Sequence, residues 1–172
     1  MLARAEELKP LDLPPPRGAG GQPLIETLKL RRSTREYSDR PAPYWRHVMV
    51  MDIYAAMADG VWLYEPKAHT LLPYLKDDIR AETGLQDFVA GAPLNLVYVA
   101  HGERMTDVPA EERRLYASVD AGFIGQNVYL FCASEGLGTV FRGAVDYQKL
   151  ARALQLPDQQ FVTFAQTVGY PA

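Results

Sequence analysis

The stretch that decides the fold runs from Glu111 to Gly136 and reads EERRLYASVDAGFIGQNVYLFCASEG. Its first turn carries two glutamates, whose charge suits the positive end of a helix dipole, and its last residue is a glycine, which commonly caps a helix end. From Ala121 to Ala133 apolar residues point to nearly every side. The sequence therefore predicts a helix over 111–135 that is buried in the domain centre or in a subunit interface. Gly122 and Gly125 each cost roughly 1 kcal/mol of helix stability, which close approach of another backbone would offset.

Shorter patterned segments on both sides of this helix predict the remaining elements. A proline in the first turn and an apolar stripe indicate a helix at 23–32, and short helices are expected at 77–83 and 146–156. Asp59-Gly60 is a hairpin turn signal between two β-forming runs. The predicted strands are 49–57, 61–64, 69–75, 94–100, 138–141 and 161–168. Strands that alternate with helices, together with a hairpin, predict an α+β fold with a mixed, mainly antiparallel sheet and helices packed on it.

Composition places the chain among ordinary soluble domains. It has 172 residues, of which 48% are hydrophobic and 23% charged, enough for one domain with a substantial core. The 18 Lys and Arg residues against 21 Asp and Glu residues give a formal net charge of −3, which argues against a nucleic-acid-binding protein. The single cysteine, Cys132, excludes a disulfide framework within one chain. No apolar run is long enough to cross a bilayer and no secretory leader is visible. We therefore expect a cytoplasmic protein, with an exported and processed form left open.

The N-terminal residues differ from the rest of the chain. Residues 10–23 read PLDLPPPRGAGGQP, a composition typical of an extended, loosely structured segment. We therefore predict two parts, a Pro/Gly-rich arm over 1–22 and a folded domain over 23–172. The arm is either a disordered leader, which the sequence alone favours, or a segment that lies along a partner subunit.

The densest polar feature follows the first predicted helix and reads Arg31-Arg32-Ser33-Thr34-Arg35. Guanidinium groups stay charged and bind phosphate oxygens through paired hydrogen bonds. A break in the helix at Ser33 would let these side chains converge on one anion. The alternative, which composition alone favours, is a solvated basic helix end.

Elsewhere the sequence offers a glycine-rich segment and few candidate metal ligands. Glu135 to Gly143 leaves the long helix through glycines, which could let bare backbone N–H groups face a flat ligand. The same segment could equally be an ordinary connection between a helix and a strand. His47, His69 and His101 lie far apart without the spacing of metal ligands, so no metal site is predicted.

Several of these segments resemble one known family. RRSTREY at Arg31–Tyr37, after an amphipathic helix, resembles the signature of FMN-dependent nitroreductases. DAGFIGQN at 120–127, EGLGTV at 135–140 followed by Arg142-Gly143, and the ending AQTVGYP at 165–171 are similar to the small branch grouped with SagB-type oxidoreductases. The resemblance extends from the Pro-rich arm to the last residues, and the long-helix block is its most specific part.

The resemblance implies a three-layer α/β/α fold, a homodimer with the long helix in its core, and one FMN in each of two sites at the dimer interface. It implies that NAD(P)H reduces the flavin, which then reduces a small electron acceptor. No catalytic side chain is then required, because the cofactor carries the redox chemistry. The residues that would hold the FMN phosphate and ribityl chain are Arg31, Arg32, Ser33 and Arg35. The residues whose backbone would face the flavin ring are Phe141, Arg142 and Gly143.

The sequence also departs from the family pattern. After Arg40-Pro41 a further helix and loop of the family have no counterpart, and Tyr44, His47 and Met49 stand where the family loop carries polar residues that contact flavin. Three explanations stay open: loss of the segment with degeneration of the site, a segment absent from the recorded sequence, or a remodelled site in which Tyr44 and Trp45 stack on a flat ligand. The rival to an enzyme is therefore a non-catalytic homodimer of the same fold with weakened or lost flavin binding.

Overall fold

The computed structural model describes residues 23–30, 36–37, 40–41 and 49–171. The predicted arm over 1–22 lies outside these ranges. The elements, in chain order, are α1 (Leu24–Leu30), β1 (Glu36–Tyr37), β2 (Arg40–Pro41), β3 (Met51–Met57), β4 (Gly60–Glu65), β5 (Thr70–Leu75), β6 (Leu94–His101), α2 (Ala110–Glu135), β7 (Gly138–Arg142), α3 (Tyr147–Ala153) and β8 (Gln160–Gly169). Single turns of 3-10 helix occupy Arg80–Glu82, Asp87–Val89 and Gly102–Arg104.

The main sheet has six strands in the order β5-β4-β3-β6-β8-β7. The predicted hairpin joins β3 to β4 with Met57 opposite Gly60, whose φ of 135° requires glycine. The α+β class is confirmed, but every strand pair within the described residues is antiparallel. The crossover through α2 does leave β6 and β7 running in the same direction. They are not neighbours, because β8 lies between them and is antiparallel to both.

The long helix α2 begins and ends where the sequence predicts. Gly136 caps it in the left-handed conformation, with a φ of 70°, and donates its backbone N–H to the Cys132 carbonyl. Small side chains on one face of the helix are buried against the sheet: Ala117, Ala121, Gly125 and Cys132. The predicted burial of α2 is therefore confirmed for this face of the helix. The opposite face of α2 is exposed in the single chain.

The two faces of the sheet are covered by different helices. Leu150 of α3 and Leu154, which follows the helix, pack in one core with Val97 and Val99 of β6. Ala100, on the other face of β6, packs with Ala117 of α2. Because neighbouring residues of a strand point to opposite faces, the sheet lies between α2 and α3. The chain therefore has the predicted three-layer α/β/α arrangement.

Two short helical predictions had different outcomes. The helix predicted from Asp146 begins with the expected cap, in which the Asp146 carboxylate accepts the Lys149 backbone N–H at 2.9 Å. The helix predicted over 77–83 is wrong in length, since only the 3-10 turn Arg80–Glu82 forms. There the Asp78 carboxylate accepts the Arg80 backbone N–H at 3.1 Å, a local bond that competes with helix formation.

In the part of the protein that the structure describes, none of the helices combines the length and apolar character needed to cross a bilayer.

Candidate cofactor site at the edge of the sheet

The residues predicted to hold a cofactor fall into two groups. One group lies outside the described residues: Arg31, Arg32, Ser33 and Arg35. The other group, Phe141, Arg142 and Gly143, forms the end of β7 and the residue that follows it. This strand is at the edge of the sheet, so one side of its backbone pairs with β8 and the other side faces away from the ladder.

Phe141 anchors the end of β7 to α2. Its ring centroid lies 4.8 Å from that of Phe164 and 5.6 Å from that of Tyr98. A Cβ on Gly125 would overlap the Phe141 ring, so this glycine makes room for a side chain of β7, whereas the sequence predicts the close approach of another backbone. The Phe141 backbone N–H points away from β8 and is donated to the Tyr129 hydroxyl at 2.9 Å.

Arg142 points to the opposite face of the sheet and is only 3% exposed. Its Nε donates to Thr167 Oγ1 at 3.1 Å, its Nη1 to the Thr83 carbonyl at 2.8 Å and its Nη2 to Asn95 Oδ1 at 3.1 Å. These acceptors are neutral, and burial lowers the pKa of Arg142 from its ordinary value. A guanidinium nevertheless stays protonated in proteins, and among the described residues its hydrogen-bond acceptors are the dipoles of neutral groups.

The buried position of the Arg142 side chain limits what this residue can contribute to a ligand site. Its side chain connects β7 to β8, to β6 and to the segment that contains Thr83. This position of Arg142 also requires glycine at residue 84, because a Cβ on Gly84 would overlap Arg142 Nη1. Only the backbone of Arg142 is therefore available to face a cofactor, as the resemblance implies.

A second buried polar network holds β7 from the α2 side. Tyr98 donates its hydroxyl to Gln166 Oε1 at 2.6 Å, and Gln166 Nε2 donates to Thr139 Oγ1 at 3.0 Å and to the Gly125 carbonyl at 3.3 Å. Burial raises the pKa of the Tyr98 hydroxyl, which therefore remains a neutral donor. Sequence reasoning missed this network. The available signal was a polar residue inside an apolar strand, such as Gln166 in FVTFAQTV.

Gly143 follows Arg142 and is exposed. Its carbonyl accepts the Tyr147 hydroxyl at 3.0 Å, which ties the turn after β7 to the start of α3. The end of β7 is thus held from both faces and beyond its last residue. On its outer edge the Tyr129 hydroxyl takes the Phe141 N–H, and the exposed backbone at Gly143 is the part that a flat group can approach.

The outer face of α2 lies on the far side of the helix from the sheet. Tyr129, which bonds to β7, stands at the border of this face. Large apolar side chains are exposed along it: Leu115, Tyr116, Val119, Phe123, Leu130 and Phe131. An exposed apolar surface of this kind is typical of a contact with another protein surface.

The described histidines are held by side chains of the fold. His69 Nδ1 lies 2.9 Å from the Tyr64 hydroxyl. His101 lies between two carboxylates, with Nε2 2.6 Å from Asp52 and Nδ1 2.8 Å from Glu103, a contact that the sequence analysis did not foresee. This contact lowers the pKa of Glu103. Among the residues with described structure, no group of three or more His, Cys, Asp or Glu side chains is arranged to hold a metal ion.

The fold and the edge site define a class of α+β protein in which a sheet is enclosed by a long helix on one face and a short helix on the other. The model of the nitroreductase family matches residues 45–170 of this chain. A candidate nitroreductase of Methanocaldococcus jannaschii is 33% identical over 116 residues, which cover 65% of this chain and 58% of that protein. The chain belongs to the nitroreductase family.

Further relatives agree with this assignment. The NADPH-flavin oxidoreductase of Vibrio harveyi is 27% identical over 156 residues, covering 86% of this chain and 65% of that protein. The chain thus spans about three fifths of the length of the two curated relatives, at 58% and 65%. The crystal structure of a candidate nitroreductase of Ralstonia eutropha superposes with a TM-score of 0.69 at 36% identity, covering 93% of this chain and 88% of that one. The narrower resemblance to the SagB-type branch stays a prediction.

Proposed function

We propose that this chain is an FMN-dependent oxidoreductase that works as a homodimer, accepts electrons from NAD(P)H and passes them to a small acceptor. The observation that carries the proposal is the end of β7, where the Arg142 and Thr139 side chains are hydrogen-bonded on opposite faces of the sheet and Gly143, the next residue, is exposed. Family membership and the flavin dependence stated in the name of the Vibrio harveyi relative support it.

The residues available fit a flat, phosphorylated cofactor in two respects. The backbone of Phe141, Arg142 and Gly143 offers an edge against which a planar ring can lie, since Gly143 is exposed and carries no side chain. In the proposal, the arginine-rich segment 31–35 holds the phosphate and ribityl chain, because guanidinium groups bind phosphate oxygens in pairs. When bound, FMN supplies the two-electron chemistry, and the protein binds and orients it.

The homodimer is supported by the outer face of α2. Phe123, in the middle of this face, is 69% exposed in the single chain. A second copy that packs against this face would cover it and would bring the two β7 edges near a shared surface. Phe123→Asp should therefore convert a dimer into monomers, because burying an unpaired carboxylate in an apolar interface is costly. Light scattering of the purified protein measures the mass directly, and Leu72→Asp on exposed β5 is the matched control that should leave the mass unchanged.

The test of the cofactor is spectroscopic. Purified protein incubated with FMN and passed through a desalting column should retain the flavin absorbance, and anaerobic addition of NADPH or NADH should bleach it. Protein that retains no flavin under these conditions would contradict the enzyme and favour a non-catalytic member of the family.

A substitution at Arg35 tests the proposed contact with the FMN phosphate. Arg35→Ala should lower the retained flavin while leaving the mass in light scattering at the dimer value, since it removes one charge-assisted contact and no apolar surface. Arg152→Ala, at an exposed position on α3, is the control. Equal flavin retention in Arg35→Ala and in the parent would remove this residue from the proposed site.

One observation favours the non-catalytic alternative. The Phe141 backbone N–H already bonds to the Tyr129 hydroxyl, so this donor is occupied by the protein itself. A homodimer of the same fold with weak or lost flavin binding would keep this bond. The flavin-retention experiment separates the two proposals.

A further inference from the structure

A pocket of about 280 Å³ lies at the end of the sheet where β6 ends and β8 begins. Its wall includes Gly102 after β6, Gln159 before β8, and Arg113 and Arg114 in the first turns of α2. The proposed flavin edge is elsewhere, because β7 pairs with the other end of β8, at residues 165–169.

Arg114 is held in place by the protein surface around it. Its guanidinium carbon lies 4.8 Å from the centroid of the Phe161 ring and 5.5 Å from that of the Tyr147 ring, both cation–π distances. Its Nη1 donates to the Val162 carbonyl at 3.2 Å. These contacts position the guanidinium and leave donors unused, since the group carries five N–H bonds.

Arg113 also lines the pocket. Its Nε donates to the Val108 carbonyl at 3.1 Å. A Cβ on Gly102 would lie 3.0 Å from the Gln159 carbonyl oxygen and 3.8 Å from both Arg113 Nη1 and Gln159 Oε1, so the glycine lets these polar groups lie close to the chain at this point. The pocket is therefore an open depression with a guanidinium and an amide on its wall.

The charged side chains on the wall of the pocket indicate the kind of ligand that it can bind. Within the described residues, neither Arg113 nor Arg114 forms an ion pair with a carboxylate. Asp158 is the acidic residue on the wall, so two cations face one anion there. Guanidinium groups suit a tetrahedral oxyanion, because its oxygens accept paired hydrogen bonds from their N–H groups. The volume lies just below the range of roughly 300–1,000 Å³ that is common for small-molecule sites.

We propose that this pocket binds a phosphate group, held by Arg113 and Arg114. The phosphate is either a free ion or part of a nucleotide, and the two sources share this chemistry. The proposal does not depend on the proposed flavin binding.

The test titrates inorganic phosphate into the protein by calorimetry at constant ionic strength. The parent should bind, and the double variant Arg113→Gln/Arg114→Gln should bind about tenfold more weakly or not at all, because it removes the charge-assisted bonds. Asp158→Asn should bind several-fold more tightly, since it removes the opposing charge. That gain cannot come from misfolding and therefore keeps the test decisive.

Two controls locate the bound ion. Arg152→Gln removes an exposed arginine away from the pocket and should leave binding unchanged. Because the segment 31–35 is itself proposed to hold a phosphate, Arg35→Ala is compared with the double variant, and phosphate binding that is lost in Arg35→Ala but kept in the double variant would place the ion at that segment and overturn the proposal. Absence of binding in the parent, or no gain in Asp158→Asn, would overturn it too.

A parallel titration with adenosine 5′-monophosphate identifies the source of the phosphate. Tighter binding than inorganic phosphate, lost in the same double variant, assigns a nucleotide. Equal or weaker binding assigns the free ion. Nucleotide binding that survives the double variant contradicts the role of the two arginines.

Discussion

The two edges of the sheet are built in opposite ways. β5 pairs with β4 along one side, and its side chains Leu71 and Leu72 are each 45% exposed. β7, at the other edge, is held by Arg142 on one face and by Thr139 with Gln166 on the other. Both are edge strands, but the buried polar side chains lie at β7.

This difference indicates which edge of the sheet is suited to binding a ligand. Hydrogen bonds to buried partners have narrow geometric limits, so a network of them holds a strand more firmly than a single side-chain bond does. β7 is therefore preorganised for binding a flat group at its backbone. β5 pairs with β4 and has one such bond among its described contacts, from the Tyr74 hydroxyl to the Leu154 carbonyl at 2.8 Å.

The largest expected effect is at Arg142. Arg142→Met should lower the free energy of unfolding by about 3 kcal/mol, because Thr83, Asn95 and Thr167 lose a donor in a buried place. Leu72→Ala at the β5 edge should cost less than about 1 kcal/mol, since that side chain is half exposed. Urea unfolding monitored by circular dichroism measures both.

Arg142→Lys sharpens the same comparison. Lysine keeps the charge but cannot reach three acceptors in the fork geometry of a guanidinium, so it should be destabilising as well. A stability of Arg142→Met equal to that of Leu72→Ala would break the distinction between the two edges.

The next effect concerns the contact of α2 with β7. Gly125→Ala should cost about 2 kcal/mol, because its Cβ would overlap the Phe141 ring and overpacking outweighs the gain in helix propensity. Gly122→Ala, where no atom lies within 4 Å, should instead raise thermal stability. The expected gain is up to about 1 kcal/mol, the difference in helix propensity. Thermal unfolding of Gly125→Ala and Gly122→Ala measures both effects. A melting temperature that rises in both variants would show that a side chain fits at Gly125.

A smaller effect is expected at Tyr98. Tyr98→Phe removes the donor to Gln166 Oε1 and leaves a buried acceptor unpaired, at a cost of about 1.5 kcal/mol. Tyr64→Phe, whose hydroxyl bonds to exposed His69 near β5, is the control and should cost little. Chemical denaturation of the two variants compares the network beside β7 with a contact near β5, because each variant loses one tyrosine hydroxyl.

The smallest effect is electrostatic and lies just after β5. Arg80 donates to both carboxylate oxygens of Asp78, at 2.9 and 2.8 Å, and these bonds lower the pKa of Asp78 from its ordinary value of 3.8. The charged form is favoured in the folded state, so its contribution is present above pH 4 and is lost as the pH falls through the lowered pKa.

The stability difference between the parent and Asp78→Asn should therefore shrink as the pH falls from neutral towards 3. Asp77→Asn, a neighbouring carboxylate with no hydrogen bond or ion pair recorded among the described contacts, should show no comparable change. Urea midpoints measured across this range test it, and a constant difference for Asp78→Asn would contradict the pairing.

Sequence reasoning succeeded where a local rule decides the structure. The turn at Asp59-Gly60, the cap at Asp146 and the end of α2 at Gly136 each follow from the conformations that a few adjacent residues permit. The family resemblance placed the backbone of Arg142 beside a flavin ring, which stays a prediction, and no local rule indicated that its side chain is buried in a network of distant residues. The cluster Arg31–Arg35 stays a prediction, because it lies outside the described residues.

The sequence by itself determined the α+β class, the long helix and most strand positions, because periodicity and capping act over a few residues. The tertiary structure alone decided that β8 inserts between β6 and β7, which makes every described pair antiparallel. That insertion brings Asn95, Arg142 and Thr167 together although they are far apart along the chain. Contacts of this kind depend on strand order, and strand order depends on the free energy of the whole fold rather than on any one segment.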